Sequence, residues 1–182
     1  MSSPSQPDVL WSPDFRLVGY GIHLRQWADE DLAGMVELFD DPDVARWTPL
    51  ASPFDLEAAR AYVVKARALR AGGQGVNLAV TLDGGEALGG AVMFRNAEEE
   101  REIELGYVIG PRHRGRGLAR RALRLLAEHA RAADFGRIVL RIEPGNLAST
   151  AVARAAGFRL TEERADRELK GETTVLETWV LP

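Results

Sequence analysis

Arg112-His113-Arg114-Gly115-Arg116-Gly117-Leu118-Ala119 is the stretch whose residue types and spacing point most directly to chemistry. Gly115 and Gly117 stand after a strand-like run closed by Gly110-Pro111 and before a segment of helical periodicity. The first amides of a helix have no backbone partner, and together with the helix dipole they favour an anion. Glycine lets a backbone approach phosphate oxygens closely and adopt positive φ. Arg112, Arg114 and Arg116 bring positive charge to the same spot. The segment reads as a pyrophosphate-binding loop that opens a helix; for the glycine pair taken alone, an ordinary turn is the alternative. No Lys-Ser or Lys-Thr follows, so this is not a Walker loop. A dinucleotide fingerprint would need glycine where Arg120 stands. Both departures argue against kinase, ATPase and dehydrogenase chemistry.

The charge distribution agrees with a small anionic ligand. The net charge of −4 argues against general nucleic-acid binding. Residues 112–124 nevertheless hold six arginines and no acid, whereas residues 98–104 hold five glutamates and one arginine. Cysteine is absent, which excludes a thiolate nucleophile, disulfides and cysteine-bound metals. It also fits a reducing compartment. His23, His113 and His129 lack metal-ligand spacing, so no metal is expected. His113 lies in the loop, and His129 falls on an apolar helix face as a packed histidine. No apolar run approaches the ~20 residues of a membrane span. The first residues have neither the basic start nor the apolar stretch of a signal peptide. The expectation is a cytoplasmic protein with no membrane and no nucleic-acid partner.

These residues need elements to hold them. A chain of 182 residues suits one domain with its own core. Residues 1–14 read as a flexible tail and 15–182 as the domain. Phe15 to Trp27 contains the alternation Ile22-His23-Leu24-Arg25 of a half-buried strand. Asp29 caps a helix to about Phe39, which Asp41-Pro42 ends. Ser52-Pro53 starts a second helix, with Leu56, Ala59, Tyr62, Val63 and Ala66 on one stripe, and Gly72-Gly73 stops it. Val76 to Leu82, Ala87 to Phe94 and Glu102 to Ile109 are strands joined closely enough to be antiparallel neighbours. Gly117 opens a helix running to about Ala133. Arg137 to Ile142 is a strand, Asn146 begins a helix through Ala156, and Phe158 to Arg164 and Thr173 to Leu181 are closing strands. The fold class is α/β in the α+β sense. Its mixed, mostly antiparallel sheet has about seven strands flanked by helices, and the unit from 102 to 142 is a parallel crossover.

At this point the chain resembles a known family. Arg112-x-x-Gly115-x-Gly117-Leu118-Ala119 is similar to the acetyl-coenzyme A signature of the GCN5-related N-acetyltransferases (GNAT). Ile103-Glu104-Leu105-Gly106-Tyr107-Val108-Ile109 looks like that family's fourth strand. Arg141-Ile142-Glu143-Pro144-Gly145-Asn146-x-x-Ser149 looks like its fifth strand and following turn, and Ala153-x-x-Ala156-Gly157-Phe158 is similar to the end of its next helix. Leu24-Arg25-x-Trp27-x-x-x-Asp31 resembles the start of the RimJ/RimL branch. The likeness runs over about residues 15–181 in the family's order. It implies a GNAT fold whose fourth and fifth strands splay apart, with acetyl-coenzyme A as co-substrate. The pantetheine arm would lie in the gap against Tyr107, Val108, Ile109 and Asn146. Pyrophosphate would lie on the amides of Arg114, Gly115, Arg116, Gly117, Leu118 and Ala119, with Arg112 at the head of the signature. A homodimer is the family habit.

A primary amine is mostly protonated at neutral pH. It must lose a proton before attacking a thioester, and the departing thiolate benefits from a proton donor. No covalent enzyme intermediate is needed. The resemblance assigns the base to Glu104, where the family often has glutamate. Strand alternation puts Glu102 on the same face, and an exposed cross-strand salt bridge is the alternative role. Many family members take their acid from a tyrosine on the helix after the fifth strand. Tyrosine occurs here only at 20, 62 and 107, so that device is missing. Ser149 stands at the serine position of the RimJ/RimL pattern, and its hydroxyl is expected to bond the leaving sulfur. Asn146 and Ser149 are also ordinary helix-start residues, a role compatible with ligand contact. Trp47 falls in a segment that in this family borders the acceptor site. The expected function is acetyl transfer from acetyl-coenzyme A to a primary amine, of a small molecule or a protein N-terminus, by direct attack in a ternary complex. A non-catalytic coenzyme A-binding module on the same fold is the alternative.

Overall fold

The computed structural model describes residues 11–182. Of the tail expected over 1–14, residues 1–10 therefore lie outside the described residues. From Trp11 to Asp14 the chain turns, the Phe15 amide donates to Ser12 O at 3.0 Å, and Trp11 packs against the core.

Eight strands are present among the described residues: β1 (Leu17–Gly19), β2 (Ile22–Gln26), β3 (Gly75–Thr81), β4 (Gly89–Arg95), β5 (Glu102–Ile109), β6 (Arg137–Ile142), β7 (Arg159–Leu169) and β8 (Glu172–Leu181). The helices are α1 (Leu32–Phe39), α2 (Pro42–Trp47), α3 (Leu56–Ala71), α4 (Leu118–Ala132) and α5 (Leu147–Ala155). The strands form one mixed sheet in the order β1-β2-β3-β4-β5-β6-β8-β7. Only β5 and β6 are parallel, joined by α4 as the expected crossover.

The run from Phe15 to Trp27 is two strands rather than one. Tyr20 (φ 53°) and Gly21 (φ 67°) both have positive φ, and Gly19 pairs with Ile22 across them. That is the backbone of a two-residue type I′ hairpin turn. Lys170 (φ 53°) and Gly171 (φ 83°) repeat it between β7 and β8. This split makes the sheet eight strands instead of about seven.

Three helix starts also differ from the expectation. A 3₁₀ turn over Asp29–Asp31 precedes α1. The Asp31 carboxylate takes the Ala28 amide at 2.8 Å and a two-pronged bond from Arg25 at 2.7 and 2.8 Å. Asp41-Pro42 opens a helix as well as ending one: Asp41 Oδ1 accepts from the Asp43 and Val44 amides, and Pro42 sits in the first turn, where its missing N–H costs nothing. The cap of α3 is Asp55, which accepts from the Ala58 amide at 2.9 Å, not Ser52.

Two apolar clusters lie on the two faces of the sheet. On one face, Leu118, Ala122, Leu123, Leu126 and Ala130 of α4 pack over β1, β2, β4 and β5. The second cluster joins Met35, Leu38 and Phe39 of α1 to Trp27, Phe54, Ala59 and Val63. No helix among the described residues is long and apolar enough to cross a membrane.

Candidate active site

The gap expected between the central strands is present as a failure of strand pairing. β5 and β6 pair only at Glu102↔Arg137, Ile103↔Ile138 and Glu104↔Val139. Beyond Glu104, β6 follows β8 while β5 follows β4, so the two part. From there on, alternate backbone groups of β5 face the gap without a strand to bond.

A cavity of about 560 Å³ opens at the parting. Its walls are the end of β5 (Tyr107, Val108, Ile109), the loop and first turn of α4 (His113, Arg114, Gly115, Gly117 to Arg120), one side of α5, and Asp43, Val44, Trp47 and Thr48 from α2 and its end. Gly115 (φ +75°) and Gly117 (φ +69°) are left-handed, and an added Cβ at either would meet nothing within 4 Å. Conformation, not space, demands glycine there. Gly117 is the N-cap of α4 and supplies no side chain to bond the helix amides. The first intrahelical bond runs from Arg121 N to Gly117 O, which leaves the Leu118, Ala119 and Arg120 amides without helix partners.

The arginines divide. Arg120 lines the cavity and forms no ion pair among the described residues. Arg114 also lines it, but its guanidinium is held by Asp41 at 3.3 Å and Asp43 at 3.1 Å, with Nε on Ile109 O at 3.3 Å. Arg112 and Arg116 are exposed and outside the lining. Arg121 and Arg124 tie α4 to the β1–β2 turn: Arg121 donates to Tyr20 O and Gly21 O, and Arg124 stacks over the Tyr20 ring.

A second cavity of about 610 Å³ lies on the α3 side. It is largely apolar, with Pro49, Leu50, Phe54, Val92 and Phe94 among its walls. The two cavities share Trp47, Thr48, Tyr107, Val108, Asn146 and Ser149. The Tyr107 hydroxyl, in that shared wall, is buried and has no hydrogen-bond partner. Burial pushes the phenol up, and the Ser149 hydroxyl beside it offsets part of the rise without forming a bond of good geometry. Asn146 caps α5 by accepting the Ser149 amide at 3.1 Å.

Glu104 lines the second cavity, and its carboxylate is fully engaged. Arg167 donates to both oxygens, at 2.9 and 2.6 Å, and Arg141 adds a bond at 3.0 Å. Its neighbour Glu102 is not the solvent-facing residue that alternation suggested. It is 3% exposed and accepts from Arg141 at 2.9 Å, Asn96 at 2.8 Å and Arg137 at 2.8 Å. Burial opposes its charge, yet these donors outweigh burial and hold the carboxyl below its ordinary range. The result is a chain of ions running Arg137–Glu102–Arg141–Glu104–Arg167 under the second cavity.

Short helix α2, unseen in the sequence, straps the two cavities together. Asp41 and Asp43 hold Arg114 of the loop, Arg46 makes a two-pronged bond to Glu143 at 3.0 and 2.6 Å, and Lys170 donates to Ala45 O. Trp47, at its end, reaches both cavities. The signals for α2 were Asp41 before Pro42 and the short periodic run that follows. Among the described residues no cluster of three or more histidine, aspartate or glutamate side chains has a metal-binding arrangement.

Residues 22–159 match the family model described as an acetyltransferase (GNAT) domain. The chain is 32% identical over 152 residues to the uncharacterized protein YkkB of Bacillus subtilis, covering 81% of this chain and 87% of that one. It superposes on Mycobacterium smegmatis RimJ in complex with CoA-disulfide with a TM-score of 0.78 at 23% identity, over 94% of this chain and 88% of that one. A structure of RimL, described as a ribosomal L7/L12 alpha-N-protein acetyltransferase, aligns with a TM-score of 0.75 at 21% identity, over 90% and 91%. At these identities the structural likeness speaks to the fold.

Proposed function

The chain belongs to the GNAT family and is an acyl-coenzyme A-dependent acetyltransferase, and from that premise we propose that it acetylates a primary amine by direct attack in a ternary complex. The observation that carries this is the meeting of two cavities at one wall holding Tyr107 and Ser149. One cavity suits the donor and the other the acceptor, and a shared wall lets both be present at once. The name of the RimL neighbour, an alpha-N-protein acetyltransferase, supports an amine acceptor. That amine belongs to a small molecule or to a protein N-terminus.

The first cavity fits acetyl-coenzyme A. Its left-handed glycines and uncapped α4 amides match a pyrophosphate, and the unpaired edge of β5 matches an amide-bearing pantetheine arm. The bound coenzyme supplies an acyl thioester activated towards nucleophiles. Gly115, Gly117, Leu118 and Ala119 hold the pyrophosphate, and Arg120 and Arg114 supply charge beside it. Tyr107, Val108 and Ile109 bond the pantetheine through their backbone, with Asn146 facing them. Arg112 and Arg116 add long-range attraction rather than contact.

In the second cavity Glu104 takes the proton that the amine must lose. Its oxygens are held by Arg167 at 2.9 and 2.6 Å and by Arg141 at 3.0 Å, which fixes the carboxylate in the wall of the acceptor cavity. Ser149 donates its hydroxyl to the departing sulfur. The Tyr107 O–H, kept protonated by burial, lies beside Ser149 in the shared wall. No lone pair of the protein attacks the acyl carbon, which agrees with a chain lacking cysteine.

An amine library, followed by coenzyme A thiol release and by calorimetry with acetyl-coenzyme A, tests this. Coenzyme binding with amine-dependent thiol release is expected. Absence of coenzyme binding overturns the proposal outright. Binding with no release for any amine leaves a coenzyme-binding module in place of the amine acetyltransferase.

A further inference from the structure

Five buried side-chain polar atoms lack a hydrogen-bond partner among the described residues: Trp27 Nε1, Asn77 Oδ1, Tyr107 Oη, His129 Nε2 and Trp179 Nε1. Tyr107 belongs to the chemistry already described. Asn77 lines the α3 side of the acceptor cavity with Tyr62, and Trp27, outside that lining, packs against the Tyr62 ring.

Asn77 interrupts a buried apolar strand. Its neighbours on β3 are Val76, Leu78, Ala79 and Val80, all buried, and Asn77 itself is 7% exposed. Burying an unpaired amide oxygen costs free energy that leucine at the same position would not incur. Yet Asn77 lines the acceptor cavity, and so does Tyr62 of α3. Burial pushes the Tyr62 phenol up to about 12, and the Asn77 and Trp27 side chains beside it offset part of that rise. The Trp27 and Tyr62 rings meet edge to face, with centroids 6.3 Å apart and planes at 90°. The spot therefore holds an unpaired acceptor and a neutral phenol beside the apolar side chains of Phe54, Ala58 and Val92, with the Trp27 indole outside the cavity lining.

Register gives its distance from the chemistry. Asn77 pairs with Val92, and Val92 with Gly106, so Asn77 stands two strands from β5 in the row of Gly106. Two strand spacings are about 9–10 Å. The shared wall at Tyr107 and Val108 begins at the next residue along β5.

Resting on the acceptor cavity assigned above, we propose that Asn77 and Tyr62 form a head-group subsite selecting amines that carry a neutral hydroxyl or amide, across an apolar body, roughly 10 Å from the nucleophilic nitrogen. A cationic head does not fit this end, because the ionised side chain that lines it, Lys65 one turn along α3 from Tyr62, repels it and Asn77 and Tyr62 offer no countercharge to repay its desolvation. An alkyl or phenyl end leaves the Asn77 oxygen unpaired and is accepted less well.

The test compares para-hydroxyphenylbutylamine with phenylbutylamine as acceptors, using the full chain and saturating acetyl-coenzyme A. The hydroxylated amine is expected to have the higher kcat/KM by about tenfold or more, mainly through KM, since a hydrogen bond to a buried neutral partner is at stake. In Asn77→Leu and in the milder Tyr62→Phe the ratio between the two amines should collapse towards unity. Calorimetric affinity for acetyl-coenzyme A verifies that each variant is folded. Equal kcat/KM for the two amines in the parent, or a ratio that survives in both variants, overturns the subsite and leaves the amine acetyltransferase standing. If the coenzyme binds and neither these amines nor the wider library releases thiol, both fall together.

Discussion

The two cavities that meet at Tyr107 and Ser149 are built by opposite means. The coenzyme side is mostly backbone: two left-handed glycines, the open amides of α4 and an unpaired strand edge. The acceptor side is mostly side chains, drawn from α3, β3 to β7 and the segment after α2, over a floor of linked ions. A backbone site binds what every member of the reaction class shares. A side-chain site is free to change one residue at a time, so selectivity belongs on that side. The division also predicts which kinetic constant each substitution should move.

The largest separation should come from Glu104→Gln. Loss of a proton acceptor should lower kcat by about 10²–10⁴ and leave the calorimetric affinity for acetyl-coenzyme A intact. A fall in both constants would break the division, because it would mean that the ion chain holds the coenzyme side in shape. Next is Gly117→Val. Forcing a side chain into left-handed backbone costs about 1–2 kcal/mol, so coenzyme Kd should rise about 5–30-fold. The amine KM at saturating coenzyme should hold. If the amine KM rises instead, the two halves share more than their wall.

The smallest effect concerns the floor itself, and it is a matter of pH. Glu102 has its carboxyl held below the ordinary range, so it binds fewer protons folded than unfolded. Its contribution to stability is in full force above the unfolded value, about 4.3, and disappears as pH falls through the lower folded value. Melting temperature should stay level on this account from neutrality to about pH 5 and then drop by a few degrees in stronger acid. Glu102→Gln should flatten that acid drop. An unchanged acid profile would assign the floor's stability to other groups.

The same division explains what could be read from the amino-acid order. The glycine loop and the parallel crossover were legible because residues 102–142 carry them in one stretch, whereas the α2 and α5 walls of the first cavity come from elsewhere in the chain. Glu104, Asn146 and Ser149 were singled out through the pattern around them, and each lines at least one of the two cavities. Asn77 was not, because an asparagine inside an apolar strand carries no local sign of the cavity it faces. Arg141 and Arg167 were missed for a similar reason: they reach Glu104 from 37 and 63 residues away. Helix α2 was hidden because Asp41-Pro42 is as good a helix end as a helix start, and only tertiary contacts through Arg46 and Arg114 distinguish the two. The β1–β2 turn was hidden because Tyr20, unlike asparagine, is an uncommon residue in left-handed backbone.

The parting of β5 from β6 has a consequence outside catalysis. The sheet lacks a length of strand at its centre, and on the proposed function the coenzyme arm would supply the missing partner there. Ligand that binds the native chain alone deepens the native well by RT ln(1 + [L]/Kd), about 2.7 kcal/mol at a hundredfold excess over Kd. Proteases that act on transiently opened chains would then remove the starved protein faster than the supplied one. On the proposed placement of the coenzyme, resistance to proteolysis, and not only turnover, would rise with the acetyl-coenzyme A concentration.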